Sequence, residues 1–168
     1  MTQAANKVEW CLRKAQKEGT EHRGLVRIQP NLKEAQAHLR KAGHYLDATF
    51  YLKEGAFSDI CASTLFYVMY QSLLAIGLKF GYESRNQECT FAVIASLIDD
   101  KRITLERNVL EKVSTLNLME AREAPDTAIS LREEYQYSTK VSLENKEYQE
   151  LLQLAKSILD QTKEILVR

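Results

Sequence analysis

A long run of nearly unbroken apolar character, Ser58 to Phe80, limits what this chain can fold into. A helix that is apolar all round has to be covered on every side, by protein or by lipid. Ser63, Thr64, Gln71 and Ser72 interrupt the run, so it reads as a central core helix rather than a membrane span. Gly81 supplies a natural stop. The chain then turns polar over Tyr82-Glu83-Ser84-Arg85-Asn86-Gln87-Glu88 before a second apolar segment, Phe91 to Ile98. Polar groups at a junction between two buried helices are costly unless paired, so function is sought there first.

Only two prolines and six glycines punctuate 168 residues, and long stretches follow a 3.6-residue period. These point to an all-α fold, a bundle of four to five core helices preceded by a short N-terminal helix. Residues 1–30 read as that helix and a connector, and 31–168 as the bundle, one domain overall. Lys+Arg and Asp+Glu balance at 23 each, which excludes a wholly basic nucleic-acid binder. The first forty residues are locally basic, with eight cationic and four acidic side chains. That end is either a solvated face or a nucleic-acid contact. Cys11, Cys61 and Cys89 are odd in number and widely spaced, with no disulfide framework or zinc pattern. No apolar signal core opens the chain. The expectation is a reduced, cytoplasmic protein with no membrane partner.

Along the chain, a first helix is expected over 4–17, and Leu25-Val26-Arg27-Ile28 is compatible with a short extended piece. Asn31 and Glu34 form a capping-box pattern for a second helix that ends at Gly55. Ser58 is the expected N-cap of the third. Ser84 and Gln87 form another capping box, placing the start of a fourth helix near Arg85. A fifth is expected near Thr104, a loop over 117–127, a short helix within 128–140, and a regular amphipathic helix at the end, with Tyr148, Leu151, Ala155, Ile158 and Leu159 on one stripe.

Candidate chemistry is sparse. His22, His38 and His44 form no ligand set, so no metal and no cofactor are expected. Cys89 sits in the first turns of the fourth helix without a nearby base, which favours a small core residue over a nucleophile. On the third helix Asp59, Ser63, Tyr67, Tyr70 and Gln71 share one face. This polar line either faces solvent or forms a seam toward the fourth helix or a second subunit. In the seam reading Asp59 and Tyr67 partner Arg85. An arginine at a helix start opposes the dipole and calls for a carboxylate or an anionic ligand. A helix N-terminus with a guanidinium can cradle phosphate.

The segment from Gly55 through Asp59, Tyr67 and Tyr70 to Ala75 resembles the second core helix of the HEPN domain family. Gly81-Tyr82-Glu83-Ser84-Arg85 falls where that family places the arginine of its Arg-x4–6-His motif. Leu131-Arg132-Glu133-Glu134-Tyr135-Gln136-Tyr137 is similar to a segment many members carry before their last helix. The resemblance implies a helical bundle, usually a homodimer, with the arginine motif at the dimer cleft. It implies either a metal-independent ribonuclease, as in toxin–antitoxin and defence systems, or an inactive binding module paired with a small nucleotidyltransferase. The motif is incomplete here: Thr90, Phe91 and Ala92 stand five, six and seven residues after Arg85, and none is histidine. Histidine is the side chain best suited to moving a proton near neutral pH. The expected function is therefore a non-catalytic dimeric module that binds a nucleotidyltransferase, RNA or a nucleotide. Arg85, Asp59, Tyr67, Tyr70, Gln71, Glu88, Arg132 and Tyr137 are its candidate contacts. The alternative is a divergent endoribonuclease using Arg85 with Tyr67, Glu88, Cys89 or a histidine from elsewhere in the chain.

Overall fold

The computed structural model describes residues 1–114 and 127–168, in which seven helices and two short strands form. α1 (Gln3–Glu18) leads through a 3-10 turn to β1 (Leu25–Arg27). α2 (Leu32–Glu54) and α3 (Ser58–Lys79) form a long antiparallel hairpin. β2 (Tyr82–Ser84) returns to pair antiparallel with β1, Leu25 opposite Ser84 and Arg27 opposite Tyr82. α4 (Gln87–Asp99), α5 (Arg107–Val113), α6 (Ala128–Tyr137) and α7 (Asn145–Val167) complete the bundle. The all-α expectation holds, with one two-strand ladder added. The loop expected over 117–127 lies outside the described residues except for Thr127, which N-caps α6.

α3 is the hub, packing against α2, α4, α6 and α7. Leu65, Phe66, Met69, Leu73 and Ile76 have no exposed surface, and each such burial contributes roughly 1.5–3 kcal/mol. The helix is long and apolar enough to cross a membrane by length and composition, yet 67% of its most apolar window is buried inside the protein. Its buried hydroxyls are paired, as burial demands. Ser72 donates to the Val68 carbonyl (2.8 Å), and Thr64 meets Thr49 of α2 (2.7 Å).

Asn31 caps α2 as expected, its side chain accepting from the Glu34 amide (3.0 Å). Two other caps differ from expectation. Ser58 is the first residue of α3, and its hydroxyl instead accepts from the distant Leu143 amide (2.9 Å), pinning the approach to α7. Asn86, not Ser84, caps α4, because Ser84 is already committed to β2. The Asn86 side chain accepts from the Cys89 amide (2.9 Å). α5 begins at Arg107 rather than near Thr104, and Arg107 is ion-paired with Asp99 at the end of α4. Gly81 has φ +82° after α3, and a Cβ there would lie 2.8 Å from the Ile28 carbonyl oxygen. That carbonyl belongs to the connector into α2, whose Ile28 amide donates to Gly81 O (2.9 Å).

The N-terminal segment is fastened to this bundle through α4 and β2. Ala4, Val8, Cys11 and Ala15 are the buried side of α1. Cys11 and Cys89 form a disulfide, which corrects the expectation of three reduced cysteines. The two lie 78 residues apart in sequence, so no local spacing could reveal the pairing. Cys61 stays free and buried, and burial pushes its thiol up to about 11.

Three outcomes are expected. Gly81→Ala lowers stability in urea by at least about 1 kcal/mol, since the left-handed turn and the Ile28 carbonyl both oppose a side chain; an unchanged midpoint would show that the turn yields. Ellman's reagent at pH 8 titrates no thiol in the native protein, one in denaturant without reductant, and three after reduction; two or more thiols in the unreduced denatured chain would disprove the Cys11–Cys89 bond. The raised Cys61 thiol contributes stability that is complete below the ordinary thiol range near pH 9 and is lost toward pH 11, so the urea midpoint falls across that window and Cys61→Ala flattens the fall.

Candidate functional site

The junction after α3 is a corner built from β2, the Arg85-Asn86 link and the first turn of α4. Three hydroxyls close its inner side. Thr90 Oγ1 lies 2.8 Å from Ser84 Oγ, and Ser84 Oγ lies 2.9 Å from the Asn86 carbonyl. With the Thr90 proton given to Ser84 and the Ser84 proton to Asn86, Tyr70 donates to Thr90 (3.3 Å). The chain thus runs Tyr70, Thr90, Ser84, Asn86 and leaves no buried hydroxyl unpaired. Burial raises the Tyr70 phenol above its ordinary range, and the hydrogen bond to Thr90 partly offsets that. Tyr70 also stacks on Phe66 (5.9 Å between centroids) and lies near Phe91 (6.4 Å).

Arg85 stands on the outer side of this corner. Its amide donates to the Gly24 carbonyl (2.9 Å), extending the β1–β2 ladder by one bond. Its guanidinium is 55% exposed and meets Glu83 at 3.2 Å. Arg85 therefore lies ahead of α4 and not within it. Neither Asp59 nor Tyr67 is its partner, contrary to the seam expected from sequence. Asp59 lies in the first turn of α3, about 16 Å along the axis from Tyr70 at the helical rise per residue. Tyr67 turns toward α2 and stacks on Tyr45 (5.4 Å).

The other candidates are dispersed. Gln71 is buried, and its side-chain carbonyl accepts from His38 Nδ1 (2.6 Å). Glu88 is an exposed carboxylate ion-paired with Lys7. Arg132 packs on Phe66, its guanidinium over that ring (4.7 Å) and its side chain 12% exposed. Glu133 approaches its end at 3.5 Å, while its buried Nε has no partner. Tyr137 is exposed at the end of α6. The structure thus joins Tyr70 to the Arg85 corner through hydroxyls and Arg132 to Tyr70 through Phe66, and leaves Asp59, Gln71 and Tyr137 apart. No group of three or more potential metal ligands occurs among the described residues.

Several neighbours of the corner escaped the sequence reading. His22 Nδ1 accepts from the Gly24 amide (3.3 Å), and the Gly24 carbonyl accepts from the Arg85 backbone amide, so an imidazole is linked through Gly24 to the Arg85 main chain. Arg27 stacks on Tyr82 (5.1 Å) and pairs with Glu9 of α1 (3.2 Å). Lys7 and Lys14 both lie against the Trp10 ring. The lysines lying against the Trp10 ring were open to detection, because positions 7, 10 and 14 share a helix face. A cleft of about 600 Å³ opens elsewhere, between α5, α6 and α7, with Lys112, Glu147 and Glu150 on its walls.

No family model matches the chain, and no curated protein matches it in sequence.

His38→Ala is expected to cost about 1–3 kcal/mol, since it leaves the buried Gln71 amide unpaired. Replacing both by leucine recovers much of that loss. Equal loss in the single and double variants, measured by urea unfolding, would show that the pair contributes nothing.

Proposed function

We propose that this chain is a HEPN-type helical protein that pairs with a second copy and binds an anionic partner through Arg85 without cleaving it. The partner in this reading is nucleic acid or a small nucleotidyltransferase. One observation carries it. Thr90, five residues after Arg85, is 2% exposed, and its hydroxyl is committed to Ser84, Asn86 and Tyr70. The position that the family's motif gives to a proton-moving histidine is therefore a closed structural hydrogen-bond cluster. Phe91, one residue further, is equally buried in the core. Arg85, by contrast, keeps half its surface open and spends its charge on one weak, exposed carboxylate contact. A phosphate or acidic group can displace Glu83 at little cost. For the second copy, support comes from the half-buried stripe of Ser63, Tyr67, Tyr70 and Leu74 on the hub helix, largely aromatic surface with hydroxyls at its edges that a partner subunit would cover.

A second reading rests on His22. Its imidazole, linked through Gly24 to the Arg85 backbone amide, is the group a divergent ribonuclease would use. Incubation of a mixed RNA with the purified protein in chelator separates the two. Binding without cleavage, elution as a dimer, and about tenfold weaker affinity in Arg85→Ala are expected. Cleavage that disappears in both Arg85→Ala and His22→Ala would replace the binding reading with the nuclease. Affinity indifferent to Arg85→Ala would remove Arg85 as the anionic contact.

A further inference from the structure

The outward side of α1 carries features the fold does not need. Trp10, the only tryptophan in the chain, is 45% exposed. The Lys7 ammonium lies 4.1 Å and the Lys14 ammonium 5.3 Å from its ring centroid. A flat aromatic surface with cations against it attracts other π-systems and anions together. A second unit of the same kind stands on the neighbouring ladder, where Arg27 covers Tyr82. The two are tied into one frame. Lys7 pairs with Glu88, Glu9 with Arg27, Cys11 with Cys89, and the Arg85 amide with Gly24. Arg13, Lys17 and Arg23 are exposed and have no ion-pair partner among the described residues. Up to Arg27 the chain holds six cationic side chains against three carboxylates.

We propose that the outward side of α1, centred on Trp10, and the β1–β2 rim bearing Arg27, Tyr82 and Arg85 form a binding track for single-stranded nucleic acid. One base stacks on Trp10, and the phosphates run past Arg13, Lys17 and Arg27 toward Arg85. A single strand presents both of the surfaces these residues complement, bare base faces and a repeating negative charge. A duplex hides its base faces. An anionic membrane would call for a contiguous apolar face, and α1 uses its own, Ala4, Val8, Cys11 and Ala15, to pack on the protein. The buried disulfide and the ladder hold the track in shape before the ligand arrives, which limits the ordering cost of binding. The inference deepens the reading of Arg85 as an anionic contact and rests on it for that end of the track alone.

A lone tryptophan makes the test direct. Trp10 emission is followed while the oxidised protein is titrated with a 12-residue oligouridylate, the matching oligodeoxythymidylate, a hairpin duplex, inorganic phosphate, and phosphatidylserine–phosphatidylcholine vesicles. Quenching by either single strand is expected, weakening as salt rises, with little response to the duplex or to phosphate. Anisotropy of a labelled oligouridylate then reports the variants. Trp10→Ala is expected to weaken binding about fivefold or more, Trp10→Phe to restore part of it, and Arg13→Glu with Lys17→Glu to weaken it further and flatten the salt dependence. No quenching by either strand, quenching by vesicles alone, or unchanged affinity in Trp10→Ala overturns the proposal. If Arg85→Ala alone weakens binding, the track on α1 is wrong and the Arg85 contact stands. If the α1 variants alone weaken it, the track stands and the Arg85 contact is wrong.

Discussion

Every packing choice in the bundle answers to one constraint, that α3 has almost no side it can leave in water. Leucine, phenylalanine, methionine and isoleucine occupy nearly its whole circumference, and four other helices are recruited to cover them. Coverage on all sides would be ruinous for any polar group left unpaired. Hydroxyls and the amide that α3 turns toward its neighbours are therefore matched: Ser58 to Leu143, Thr64 to Thr49, Ser72 to its own helix, Gln71 to His38, Tyr70 to Thr90. The candidate site is a by-product of the last of these matches. Satisfying Tyr70 draws the first turn of α4 against the hub, and Arg85 is left standing at the outer edge of that contact.

Most of the fold could be read from the chain because its signals are local. Few breakers, an apolar run, an Asn31 cap and a regular final stripe act within a turn or two of themselves, and the structure reproduces each. What failed was non-local. Ser58 looks like a helix cap in isolation, but its hydroxyl is claimed by Leu143 on the approach to α7. Ser84 and Gln87 match a capping box, yet pairing with Leu25 takes Ser84 into a strand and passes the cap to Asn86. Cys11 and Cys89 become neighbours only when α1 packs on α4.

The site was legible in part for the same reason. The polar line on α3 follows from helical spacing, and its half-buried members, Asp59, Ser63, Tyr67 and Tyr70, lie where spacing puts them. Which way each one leans depends on the neighbouring helix, and there the reading diverged: Tyr67 went to Tyr45, Gln71 to His38, and Arg132 across Phe66. Arg85 stood out by sequence as a cation among helix ends. That it would be open to solvent, and answered by a residue two positions away, depends on a ladder whose second strand the residue pattern does not announce.

The order of pairing also has a consequence for a chain still emerging from the ribosome. α1 packs on α4 and β1 pairs with β2, while α2 and α3 lie between them in sequence. The α2–α3 hairpin can close as soon as its own residues are out, but the first 27 residues have nowhere to settle until α4 has been made. At roughly 5–20 residues per second that is a wait of several seconds. During it the apolar side of α1 is bare, and the sides of α3 that α6 and α7 cover stay bare for longer still.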